Sequence, residues 1–137
     1  VTGLRADPRA GRSGLVRWGA FAVWAATVWL LSSRSDPKRD LHWPWEVPDK
    51  LVHGLVFAVG GALACAAFRT GTVRSPALAA ILCCAVWGFV DEIHQGFVPG
   101  RSTEVGDLLA DVTGATAGAL FVAGFSARRG HRARPSR

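Results

Sequence analysis

The stretch LVFAVGGALACAAF, residues 55–68, has no charged or polar side chain on any face of a helix. A helix of a soluble bundle keeps a polar stripe toward water, so this one reads as surrounded by hydrocarbon. FAVWAATVWLL, residues 21–31, repeats the pattern, with Thr27 its only polar side chain. Outward from these two, the apolar half of the 137 residues falls into four blocks: Leu15–Leu31, Leu51–Phe68, Pro76–Phe97 and Asp107–Phe125. About 20 residues at 1.5 Å rise cross a ~30 Å hydrocarbon core. The expectation is therefore an all-α polytopic membrane protein. It would be a four-transmembrane-helix bundle over residues 15–125, between a basic segment (1–14) and an Arg-rich tail (126–137).

Orientation is read from the basic residues. Arg5, Arg9, Arg12 and Arg17 lead into the first block, Arg69 and Arg74 separate the second from the third, and Arg128, Arg129, Arg132, Arg134 and Arg137 follow the fourth. The other two connections hold Arg34, Lys38, Arg39, Lys50 and Arg101. Eleven against five places both termini in the cytoplasm. The tail then belongs beside anionic lipids, so the pI of about 10.6 speaks for a membrane and against a nucleic-acid partner. Trp18 and Trp29 stand near the two ends of the first block as interface anchors do. Trp43-Pro44-Trp45-Glu46-Val47-Pro48 is too short to span and too apolar for free water, and is expected on the outer membrane surface.

The first block is long for a signal peptide and lacks a small-x-small cleavage site before Ser32, so it is expected to stay as a helix. The chain opens on Val and contains no Met. A non-AUG start codon translated literally is one reading, under which an intact mass would reveal an N-terminal Met. Arg supplies 14 of the 16 basic residues, a composition that suggests a GC-rich bacterial genome. Cys65, Cys83 and Cys84 fit small buried packing residues better than a redox or metal motif.

On this topology the remaining ionisable residues collect at one end. Asp49-Lys50 and His53 open the second helix from outside, Asp91-Glu92 with Gln95 close the third, Arg101 lies in the next loop, and Asp107 and Asp111 begin the fourth. Asp49 and His53, Asp91 and Gln95, and Asp107 and Asp111 are each four apart and so share a helix face. Gly114 and Gly118 continue the Asp111 stripe as a small-xxx-small surface, with Gly60, Gly61 and Ala64 similar on the second helix. Whether that face packs within one chain or between two is left open, as is the oligomeric state. A charge inside a membrane helix costs at least ~2.5–3.5 kcal/mol, and here five carboxyls face only Lys50, Arg101 and the histidines His53 and His94. The plainest explanation is a structural staple, with Lys50 and Arg101 bridging helix ends, Asp107 favoured by the helix dipole and Ser102 or Thr103 as its cap.

Asp49-Lys50-x-x-His53, Asp91-Glu92-x-x-Gln95, Phe97-Val98-Pro99-Gly100-Arg101 and Asp107-x-x-x-Asp111-x-x-Gly114, in this order, resemble the VanZ-like family. The similarity covers about residues 15 to 125. The resemblance implies a small multi-pass protein of the bacterial plasma membrane, in a family named for a member associated with low-level teicoplanin resistance. It implies no reaction. Asp111 departs from the Asn usual in the family and adds an acid, and Gly54 and Phe57 stand where many members carry an aromatic pair.

Three functions compete. The first is an envelope protein whose cluster binds a polar ligand at the outer leaflet: a lipid headgroup, a lipid-linked wall precursor or a lipoglycopeptide. Arg101 and Lys50 would then hold phosphate or carboxylate, and the acids would orient them or meet an amine. The excess of acid disfavours a strongly anionic ligand unless a metal ion accompanies it. The second is a membrane-embedded enzyme, possible metal dependence included, with Glu92 or Asp91 as general base and His53 as its partner or a metal ligand. No established metalloprotease spacing or serine elbow supports it. The third is proton or ion movement, disfavoured because the opposite half of the bundle has no matching polar residues. Cofactor, metal and catalytic residues are undetermined at this level.

Overall fold

A computed structural model describes residues 8–35 and 48–132. The predicted Trp43–Pro48 surface segment lies outside the described residues apart from Pro48. Four helices follow in order: α1 (Pro8–Ser32), α2 (Asp49–Phe68), α3 (Pro76–Gln95) and α4 (Val105–Arg132). All four are long and apolar enough to cross a membrane, and no strand occurs among the described residues.

The helices coincide with the apolar blocks but not at every edge. α1 begins at Pro8 and α4 runs to Arg132, so the helix continues into both basic flanks. Arg is a good helix former, and hydrogen bonding does not stop where the hydrocarbon does. α3 ends two residues earlier than its block, at Gln95.

The surface is largely apolar while several acids are buried, the reverse of a protein solvated by water. Leu15, Val23, Leu30, Leu55, Leu82, Val86, Phe89, Leu109 and Phe121 are exposed, whereas Asp91, Glu92, Gln95, Asp107 and Asp111 are buried. Only a hydrocarbon surrounding makes that distribution favourable. The apolar core is built from Trp24, Val28, Phe57, Ala64, Cys65, Ala80, Cys84, Ala115 and Ala119. Cys65 and Cys84 are packing residues there, free of disulfides.

Residue contacts give the helix directions. Gly14 of α1 lies against Thr70 after α2, while Ser32 at the other end of α1 touches Asp91 near the end of α3. The chain therefore runs up, down, up and down, with α2 parallel to α4. These two pack closest: a Cβ placed on Gly114 would collide with the Gly54 carbonyl, and one on Gly118 with the Ala58 carbonyl. The small-residue face of α4 thus packs within the chain, against α2. α3 lies across both, and Gly88 lets Phe57 and Asp111 approach its backbone: a Cβ placed there would lie 3.2 Å from the Phe57 ring and 3.0 Å from Asp111 Oδ2. α1 is pinned to α2 by the Trp24 indole, whose Nε1 donates to the Val56 carbonyl at 3.0 Å while its ring covers Gly60.

Gly114→Ala forces α2 and α4 apart and is expected to destabilise by about 3 kcal/mol or more. Gly19→Ala, with nothing within 4 Å of the new methyl, should not destabilise and should add up to about 1 kcal/mol through helix propensity. Reversible unfolding in micelles compares the two, and equal stabilities would refute this packing.

Candidate functional site

The polar end is assembled from one end of all four helices plus the α3–α4 loop. That loop is a tight turn. The Arg101 N–H donates to the Val98 carbonyl at 3.1 Å, Pro99 occupies the second position and Gly100 the third with φ 82°. Pro followed by a positive-φ Gly is a type II turn. Its effect is to bring Arg101 back over the end of α3, where Nη2 donates to Gln95 Oε1.

Gln95 is the centre of one half of the network. Only 1% exposed, it accepts from Arg101 and donates through Nε2 to Asp91 Oδ2 at 2.7 Å. A longer contact of 3.4 Å reaches Ser32 Oγ. Ser32 donates to the same Asp91 oxygen at 2.7 Å, which ties α1 to α3. Beside it, Ser33 Oγ and His94 Nε2 are 2.9 Å apart, and the His94 ring stacks on Trp29 with centroids 3.9 Å apart. Trp29 therefore packs on a histidine in addition to its place near the helix end.

The other half joins α2, α3 and α4. Lys50 Nζ bridges Glu104 Oε2 at 2.8 Å and Asp107 Oδ1 at 3.0 Å. His53 Nδ1 lies 3.0 Å from Asp111 Oδ1, and its Nε2 lies 4.0 Å from Asp107 Oδ2. Glu92 Oε2 accepts the backbone N–H of Glu104 at 2.9 Å. A carboxylate of α3 thus meets the start of α4, where the helix dipole favours negative charge. α4 begins at Val105 after Glu104, so neither Ser102 nor Thr103 takes the expected cap position. Asp49 is exposed at the rim, and one ligand atom each of Asp49, His53 and Asp107 lie within 4.8 Å of one another.

The nine residues singled out by spacing thus lie in two adjoining networks. Asp91, Gln95 and Arg101 form one, and Asp49, Lys50, His53, Glu92, Asp107 and Asp111 the other. Four participants lie beyond those nine. Ser32 and Ser33 end an otherwise apolar helix, and only their position at the polar end hints at a role. His94 stacks and bonds where it had been counted only as a charge. Glu104 had a readable signal, since it is an acid three residues from Arg101 and three from Asp107.

Lys50 and Arg101 are already engaged, Lys50 by acids and Arg101 by an amide. Meanwhile Asp91 Oδ1, Glu92 Oε1 and Asp111 Oδ2 are buried without a hydrogen-bond partner among the described residues. The staple accounts for Lys50 but leaves these three oxygens unexplained.

A multi-pass helical membrane protein with a carboxylate-rich cluster buried at one end is the class that fold and site define. The VanZ/LLP1 family model matches residues 15–126, and the chain belongs to that family. No curated protein and no solved structure matches it.

Gln95→Leu removes both the acceptor of Arg101 and the donor to Asp91, and is expected to destabilise by about 2–4 kcal/mol. Ser32→Ala, which leaves Asp91 with Gln95, should cost about 1 kcal/mol. The reverse order in chemical unfolding would show that Gln95 is not the centre of this network.

Proposed function

We propose that the polar end faces the outer leaflet of a bacterial plasma membrane, with both termini cytoplasmic. There it binds the headgroup of a lipid or of a lipid-linked wall precursor, and through that binding contributes to tolerance of lipoglycopeptides such as teicoplanin. The observation that carries this reading is the set of unpartnered, buried oxygens on Asp91, Glu92 and Asp111. A membrane protein that needed only a staple would be more stable without them.

The rim supports it. Lys50 and Glu104 each expose about half of their side chains, and Arg101 is half-buried. Arg101 has five N–H donors and Gln95 takes one through Nη2, which leaves a fork suited to phosphate or carboxylate. Acids hold Lys50 in place and the Gln95 amide holds Arg101. A second reading, a membrane-embedded enzyme, draws on one observation: the His53–Asp111 pair at 3.0 Å has Glu92 within reach, as a general base would require.

Lipids bound to the purified protein are expected to be enriched in one headgroup class, and that enrichment to fall at least about tenfold, some 1.4 kcal/mol, in Arg101→Ala. Identical bound lipids in both would count against headgroup recognition. In a sensitive host, the wild type should raise lipoglycopeptide tolerance, while Glu92→Gln and Arg101→Ala at matched membrane levels should not. Protection kept by both variants would reduce the cluster to a structural role.

A further inference from the structure

One ligand atom each of His53, Glu92 and Asp111 lie within 4.8 Å of one another. These residues come from three different helices, so the grouping is a product of the fold. Each is held from one side and open on another. Glu92 Oε2 takes the Glu104 N–H and Oε1 is unpartnered. Asp111 Oδ1 takes His53 Nδ1 and Oδ2 is unpartnered. His53 then has Nε2 remaining, with Asp107 Oδ2 4.0 Å away.

We infer that His53, Glu92 and Asp111 bind one divalent transition-metal ion, with Asp107 beside it. The donor set is one imidazole nitrogen and two carboxylates, which suits zinc, manganese or iron better than calcium or magnesium. Two donors on such an ion stand about 3–4 Å apart, so the three side chains need only a small inward adjustment. Charge gives a separate argument. Lys50 is paired with Glu104 and Asp107, so Glu92 and Asp111, 7% and 1% exposed, carry up to two negative charges with no fixed cation of their own. A doubly charged cation with neutral His53 brings that group to zero, the state a membrane interior favours. Entry is from the rim, where Asp49 is exposed and Glu104 half-exposed.

The ion would deepen the headgroup reading, on which it rests only in taking the cluster for a binding site. The test is Zn2+ alone, added to chelator-treated full-length protein in lipid-free micelles. Titration calorimetry and elemental analysis are expected to find one ion per chain. Glu92→Gln and Asp111→Asn should each weaken binding about 10- to 100-fold, His53→Ala should abolish it, and Thr113→Ala, on the exposed face of α4, should leave it unchanged. Wild type loaded with Co2+ should show the visible spectrum of a mixed nitrogen and oxygen site, a readout that does not depend on whether the variants fold. No saturable Zn2+ binding to the wild type, or equal weakening by Thr113→Ala, would overturn the site. Absence of Zn2+ binding to a wild type that keeps its lipid enrichment would refute the ion and spare the headgroup, and Zn2+ binding without lipid enrichment would do the opposite.

Discussion

Hydrocarbon offers a carboxylate no hydrogen bonds, so each acid taken below the membrane surface must find its donors within the protein. This requirement organises the polar end. Asp91 is answered by Ser32 and Gln95, Glu92 by the Glu104 N–H, Asp107 by Lys50 and Asp111 by His53. Every one of these partners comes from another helix or loop except Gln95, one turn along α3 from Asp91. The bonds that make the acids tolerable are thus largely the bonds that join the helices. They do so by one oxygen each for Asp91, Glu92 and Asp111, and the second oxygen of all three is left over.

Such bonding is possible only because α2 and α4 approach so closely. Gly114 and Gly118 set the backbones of the two helices in contact at Gly54 and Ala58. Because the helices are parallel, this contact fixes a register in which Lys50 faces Asp107 and His53 faces Asp111. A side chain at position 114 would separate the helices, and the imidazole would lose its carboxylate. The α3 backbone closes the third side at Gly88, against Asp111 and Phe57. The small residues in the middle of the bundle and the charges at its end are therefore one design. Gly100 plays the corresponding part in the loop, since its positive φ is what returns Arg101 to Gln95.

The four helices were legible because hydropathy is local: uncharged stretches such as residues 55–68 declare their solvent without help from the rest of the chain. The gathering of charge at one end was legible too, because helix direction alternates once the spans are known. Partners were harder to read. Asp91 and Gln95 share a turn and their bond follows from spacing, whereas Ser32 and Asp91 are far apart in sequence and meet only because α1 leans on α3. The parallel α2–α4 contact also escaped a reading by spacing, which shows that a glycine face packs tightly but not against what. Lys50 and Arg101 looked wholly free for an anion because a sequence does not show that Glu104 and Gln95 each take one of their donors.

The excess of acid and the pair of rim cations pull toward opposite ligands, an ammonium or an anion. Their arrangement reconciles them. The unpartnered carboxylates lie deep, whereas Lys50 and Arg101 lie nearer the rim with donors still to offer. A divalent ion among Glu92, Asp111 and His53 would cancel the deep negative charge beneath the two cations. An anionic headgroup would then meet Lys50 and Arg101 without the repulsion that Glu92 and Asp111 would otherwise exert. Proton or ion passage gains nothing from the same arrangement. Every buried charged residue among the described residues belongs to this end, and the opposite half of the bundle is packed with Ala64, Cys65, Ala80 and Ala119. A charge entering the cluster has nowhere further to go, as suits a place of binding.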